Sequence, residues 1–196
     1  ESEVLVCQTA VRLAKLWKTP GNECAAALTR IVADVEGDVR SSVLVAQFCG
    51  TKGSPSLAET AWKNALSLIR DDTHISSRTM AAMYAVKHGL WSDAANLMYG
   101  HVALDQDGEE LRALSLALVQ ERPIKQRAVD FFTALPSEIR TLPRYRYMEG
   151  LMEFNRGDLP AAEAIFRSTL SVAPDLQVLG MTVMALRRQN REPEIS

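Results

Sequence analysis

The chain has 196 residues, 47% of them hydrophobic and 23% charged, with a formal net charge of −2. That length suits one domain or one short repeat array, and the near-neutral balance gives no electrostatic case for a nucleic-acid partner, which usually goes with a basic excess. Aromatic residues make up only 6%, and alanine and leucine are abundant, which favours helices over a β-sandwich or barrel.

Helical periodicity runs from end to end, and no segment alternates with period two. Breaks at Gly, Pro and Asp/Ser/Asn clusters predict helices over 2–18, 22–36, 39–50 and 56–70. They continue over 75–88, 91–104, 109–121, 124–134, 143–156, 159–171 and 175–189. Pro20-Gly21-Asn22 ends the first helix, since proline cannot continue it and glycine accepts a left-handed turn. Ser56 with Glu59 reads as a capping box, and Asp107 with Glu110 imitates one. Asp158 precedes Leu159-Pro160, where proline is tolerated because first-turn amides lack intrahelical partners. Short links predict antiparallel hairpins over 2–36, 39–70, 75–104, 109–135 and 143–171. They form one domain over 1–190, with 175–189 as a capping helix and 191–196 as a disordered tail. The cap is expected to cover the fifth hairpin through Leu176, Leu179, Val183 and Leu186.

Hairpins of this size repeat. Ala94, Ala128 and Ala162 lie 34 residues apart, and Met98, Phe132 and Phe166 follow one turn later. A small residue and then a large one suits helices that cross closely and lock together. Met80, Leu114 and Met148 share a second position, and Tyr84, Leu118 and Met152 a third. Ala26 and Ala61 extend the series toward the N-terminus, Ala61 one residue out of step.

A helix–turn–helix period of 34 residues resembles the tetratricopeptide repeat. The best unit carries Gly150, Gly157-Asp158, Ala162, Phe166 and Pro174 where that family has Gly, a Gly-Asp turn, Ala, an aromatic and Pro. The 76–108 unit matches through His88-Gly89, Ala94 and Met98, and the 109–142 unit through Ala128 and Phe132. The first 70 residues resemble the family in helix pairing alone. One departure stands out: Arg146, Glu149 and Glu153 occupy consensus slots of the first helix, and the apolar stripe Tyr145, Met148, Met152 sits one residue earlier. The resemblance implies an all-α, right-handed solenoid of about five hairpins. It also implies a non-catalytic scaffold or adaptor that holds a peptide or helix of a partner in a concave groove.

Two linings of that groove follow. With the one-residue shift it carries Arg78, Arg112 and Arg146, a ladder suited to an acidic peptide because guanidinium forks pair with carboxylates. Internal pairing of Arg146 and Arg112 with Glu149 and Glu153 is the structural alternative. Without the shift the groove carries Thr79, Met83, Ala113, Ala117, Tyr147, Leu151 and Phe154, which suits an amphipathic helix. Two other functions fit the same array. One is self-association, as a homodimer or by docking on another domain of the same chain. The other is a sensor of a signalling peptide or of nucleic acid, with the arginine ladder as its basic stripe.

No catalytic, cofactor or metal constellation emerges. Cys7, Cys24 and Cys49 sit singly and read as free thiols in a reducing, cytoplasmic setting. His74, His88 and His101 are scattered without metal-pair spacing. Gly50-Thr51-Lys52-Gly53-Ser54 lacks the spacing of a phosphate loop. Trp17, Trp62 and Trp91 read as core or inter-repeat wedges. There is no signal peptide and no apolar run that could span a bilayer. Glu1 as first residue suggests a module within a larger polypeptide.

Overall fold

A computed structural model describes residues 2–19, 21–35, 37–70 and 73–191. It is helical throughout, with no strand among the described residues. The helices fall into two compact units, residues 1–88 and 89–196.

The first unit holds α1 (Ser2–Leu16), α2 (Gly21–Asp34), α3 (Val39–Thr51), α4 (Pro55–Leu68) and α5 (Ile75–Lys87). α3 is its centre and packs against the other four. Val43, Val45, Ala46 and Cys49 are buried on it because its apolar residues go most of the way round, as an internal helix requires. Asp38 caps α3 by accepting from the Ser41 amide at 2.7 Å. The buried Ser42 hydroxyl donates to the Val35 carbonyl at 3.0 Å, fixing the entry of α3 on the exit of α2.

Several sequence expectations shift here. Pro20, the expected end of the first helix, lies outside the described residues, and Gly21 opens α2. The Ser56–Glu59 capping box does not form. Proline is best placed in a first turn, so Pro55 starts α4 and Ser54 becomes its N-cap. Glu59 pairs instead with Lys63 at 2.7 Å. Trp62 is buried and stacks on Tyr84 with ring centroids 4.9 Å apart. Trp17 is no buried wedge: it is 55% exposed, edge-on to Phe48, with the Lys52 ammonium 4.7 Å from its ring centre.

The second unit holds α6 (Trp91–Met98), α7 (Glu109–Gln120), α8 (Gln126–Ala134) and α9 (Ser137–Arg140). It continues with α10 (Pro143–Arg156), α11 (Leu159–Val172) and α12 (Leu176–Arg188). α7 packs on α6, α8 and α10; α10 also meets α8, α9 and α11; α11 meets α12. α6 stops at Met98, short of the expected 104, because Tyr99 is extended and Gly100 turns left-handed at φ +82°. The one-turn α9 after Pro136 falls in a stretch with no predicted helix.

The six residues of the 34-residue spacing are all buried. Ala94, Ala128 and Ala162 are at most 1% exposed, and Met98, Phe132 and Phe166 at most 2%. The last pair meets α10 at Gly150, where an added Cβ would lie 2.4 Å from the Phe166 ring. Gly157 ends α10 at φ +90°, and Asp158 caps α11 through the Ala161 amide at 3.1 Å. Asp107 caps nothing, since Gly108 is the N-cap of α7 and the Asp107 carboxylate is taken by side chains from α7 and α10.

The capping helix is rotated from its expected face. α12 meets the Phe154–Phe166 cluster through Val178, Met181 and Ala185. Leu186 is buried and Val183 half-buried, but Leu176 is 86% exposed and Leu179 47%. The expected tail falls mostly on residues 192–196, outside the described residues.

Gly150→Ala should lower unfolding stability by about 1–3 kcal/mol, since overpacking outweighs the gain in helix propensity. Adding Phe166→Leu should return part of that loss. Gly180→Ala on α12, where a Cβ meets nothing within 4 Å, should instead be neutral or stabilising by up to ~1 kcal/mol. Urea titrations of the three variants check this; an unchanged Gly150→Ala midpoint would mean that the helices do not need the close approach.

Candidate functional site

The three ladder arginines have different surroundings. Arg78, on α5 in the first unit, is only 5% exposed and donates to the Arg70 carbonyl at 2.5 Å. It holds the end of the α4–α5 link and presents no open guanidinium face. Arg112 and Arg146 lie in the second unit. Arg112 grips both Asp107 oxygens, at 3.0 and 3.2 Å, and its side chain is 51% exposed. Arg146 donates to Glu149 at 2.8 Å and to Ser168 at 3.3 Å. Pairing of Arg146 with Glu149 is therefore real, whereas Glu153 pairs with Arg156 and Arg112 with Asp107.

Two of these pairs, Arg112–Asp107 and Arg146–Glu149, belong to larger arrangements that single-residue reading misses. Asp107 receives Arg112, Arg144 and the Tyr145 hydroxyl, the last at 2.9 Å. Glu149 receives Arg140 at 2.5 Å as well as Arg146. Glu121 receives Lys125 at 2.6 Å, Arg127 at 2.7 Å and the Ser92 hydroxyl at 2.7 Å. Glu163 receives Arg167 at 2.8 Å and Arg191 at 2.6 Å. Four poorly exposed carboxylates of the second unit thus each hold two cations. A sequence signal existed for Lys125 and Arg167, one turn after their acids; Arg140, Arg144, Arg127 and Arg191 come from other turns or helices.

The electrostatics follow. The Arg112 hydrogen bonds hold the Asp107 carboxyl below its ordinary range, against the opposing effect of burial and with help from Tyr145 and Arg144. Burial pushes the Tyr145 phenol up to about 12, and its hydrogen bond to Asp107 adds to the rise. Burial alone would raise the Glu121 carboxyl, but the hydrogen bonds from Lys125, Arg127 and Ser92 outweigh it and leave it lowered.

The apolar candidates divide as well. Phe154 is 5% exposed, belongs to the core cluster, and is covered by the Arg188 guanidinium 4.4 Å from its ring centre. Leu151 is partly buried against the same cluster. Tyr147 is partly buried 6.0 Å from the Phe166 ring centre, but it also lines an open cleft. That cleft, about 400 Å³, lies among α10, α11 and α12 and includes Met148, Val178, Pro174 and Arg144. A second cleft, about 370 Å³ and mainly apolar, lies between α3 and α5 in the first unit. Met80, Met83, Val43 and Leu44 line it, with Lys87 and Gln47 among its polar groups. Met80 and Met148 lie 68 residues apart, twice the 34-residue spacing read from the sequence.

Cys24 and Cys49 are buried free thiols and Cys7 is exposed; burial raises the Cys49 thiol to about 11, with Cys24 adding to it. Among the described residues no group of three His, Cys, Asp or Glu comes together as metal ligands would. No helix among them is long and apolar enough to cross a membrane. No protein-family model matches the chain, and no curated protein matches it.

Because the folded Glu121 carboxyl sits below its ordinary value of 4.5, its contribution is complete above that pH and fades as pH falls through the lower folded value. Glu121→Gln should therefore cost about 1–3 kcal/mol at pH 7, and the gap should narrow as the pH falls below 4.5. Urea midpoints of wild type and variant across pH 3–7 test this, and a pH-independent gap between them would show that the charge is immaterial.

Proposed function

We propose that this chain is a non-catalytic interaction module, a right-handed tetratricopeptide-like solenoid whose groove holds a peptide or helix of a partner protein. The observation that carries the reading is the recurrence of one apolar cleft-lining methionine. Met80 in the first unit and Met148 in the second stand at the same repeat position on first helices, and each lines a cleft open to solvent. Methionine is unbranched and polarisable, so it adapts to whatever side chain enters. The close packing of α3 on α4 and of α10 on α11 supports antiparallel hairpins at those two places. The Gly150–Phe166 approach supplies a physical reason for the two residues that carry the repeat resemblance best. The engaged states of Arg78, Arg112 and Arg146 favour the apolar groove over a bare arginine ladder. Buried free thiols at Cys24 and Cys49 suit a reducing, cytoplasmic setting.

Self-association is the second reading, favoured by exposed apolar residues on the terminal helices. Val4 and Val11 on α1 are 62% and 54% exposed, and Leu176 and Leu179 extend the same property to α12.

The test is affinity capture from a lysate of the native host with wild type, Met80→Glu, Met148→Glu and an Arg112→Ala/Arg146→Ala double variant, each confirmed folded by circular dichroism. A wild-type partner should fall at least tenfold with one or both glutamate variants and less than threefold with the arginine variant. Recovery unchanged in all of them would remove the groove as the binding surface. A concentration-dependent dimer in sedimentation would then turn attention to the terminal helices.

A further inference from the structure

The Tyr147 cleft combines three properties. Tyr147, Met148 and Val178 give it an apolar wall. Chain segments at its edge bear the two most exposed large apolar side chains among the described residues, Leu176 at 86% and Val172 at 76%. The exposure of Leu176 follows from the rotation of α12. Since Val178, Met181 and Ala185 face the core cluster, Leu176 and Leu179 are turned outward. An exposed leucine flanked in sequence by cleft-lining residues, here Asp175 and Gln177, marks an interaction surface more often than a single scattered residue does.

The third property is charge. Arg144 lines the cleft and shares Asp107 with Arg112, which already grips both carboxylate oxygens. The Arg144 side chain is 44% exposed. Arg140 and Arg146 likewise share the single Glu149. Arg112 and Arg144 thus share one carboxylate beside the cleft, which favours an acidic ligand group at Arg144 over a basic one. Asp175 is the one acid lining the cleft, and its Oδ1 is occupied by the amides of Gln177 and Val178 at 2.7 and 3.1 Å.

We propose that this cleft docks an amphipathic helix of a partner protein, with one bulky apolar side chain between Tyr147, Met148 and Val178. Further apolar side chains of that helix lie on Leu176 and Val172, and an Asp or Glu about one turn from the anchor pairs with Arg144. The apolar stripe supplies the contact area at i, i+3 and i+4 spacing, and the acid sets orientation through a charge-assisted pair. This proposal rests on the interaction-module reading and names its partner and its seat.

The experiment uses the full chain and a displayed library of random 16-residue peptides, followed by fluorescence-anisotropy titration of the selected peptides. Enriched peptides should carry a bulky apolar residue with Asp or Glu three or four positions away. Their affinity should fall at least tenfold for Tyr147→Ala and at least threefold for Leu176→Ser and for Arg144→Gln. Leu176 is almost fully exposed, and Arg112 still holds Asp107 in the Arg144 variant, so both should keep wild-type melting temperatures. Replacing the peptide acid by its amide should weaken binding to wild type but not further weaken binding to Arg144→Gln. A basic consensus, or peptides indifferent to all three variants, would overturn the cleft assignment while leaving the chain a peptide binder. No consensus from any round of selection would overturn the interaction-module reading itself.

Discussion

The second unit is organised around one contact, the Phe166 ring lying on the backbone of α10 at Gly150. Any side chain there would hold α10 and α11 apart. Close approach lets Phe154, Ala162 and Phe166 share a core with Val178 and Ala185 of α12. It also sets where the rest of α10 falls. Tyr145 reaches Asp107 ahead of α7, and Tyr147 stands at the edge of the cleft between α11 and α12. Helix packing of this kind transmits a spacing, so one glycine decides the geometry of several side chains.

Much of the helical pattern could be read from the amino acids. Apolar spacing and turn residues locate ten of the helices to within about two residues at both ends, and α6 at its start. Two features were hidden for definite reasons. The face of α12 is ambiguous because Leu176, Leu179, Val183, Leu186 and Val178, Met181, Thr182, Ala185 both satisfy helical spacing. The smaller set faces α11, since closely approaching helices select small residues. The Ser56 cap failed because a proline one residue earlier competes for the first turn.

The candidate site was less legible than the fold. Periodicity placed Arg78, Arg112 and Arg146 in one series, but a repeat position fixes a side chain's address and not its partners. Arg78 turned to a backbone carbonyl next to α4, and Arg112 to an acid in the preceding loop. Tyr147 could be nominated from phase, yet its cleft depends on α12, whose rotation was the ambiguous element. What the sequence could not reveal was mostly tertiary pairing over spans such as the 38 residues from Asp107 to Tyr145.

The two-to-one pairing of bases with acids has an evolutionary consequence. At Asp107, Glu121, Glu149 and Glu163 either cation can be lost while the acid keeps another. Losing the acid leaves two like charges side by side with nothing between them. Drift should therefore be permissive at the eight basic positions and restrictive at the four acidic ones, so the anions are the slowly changing residues of this surface and the arginines its variable ones.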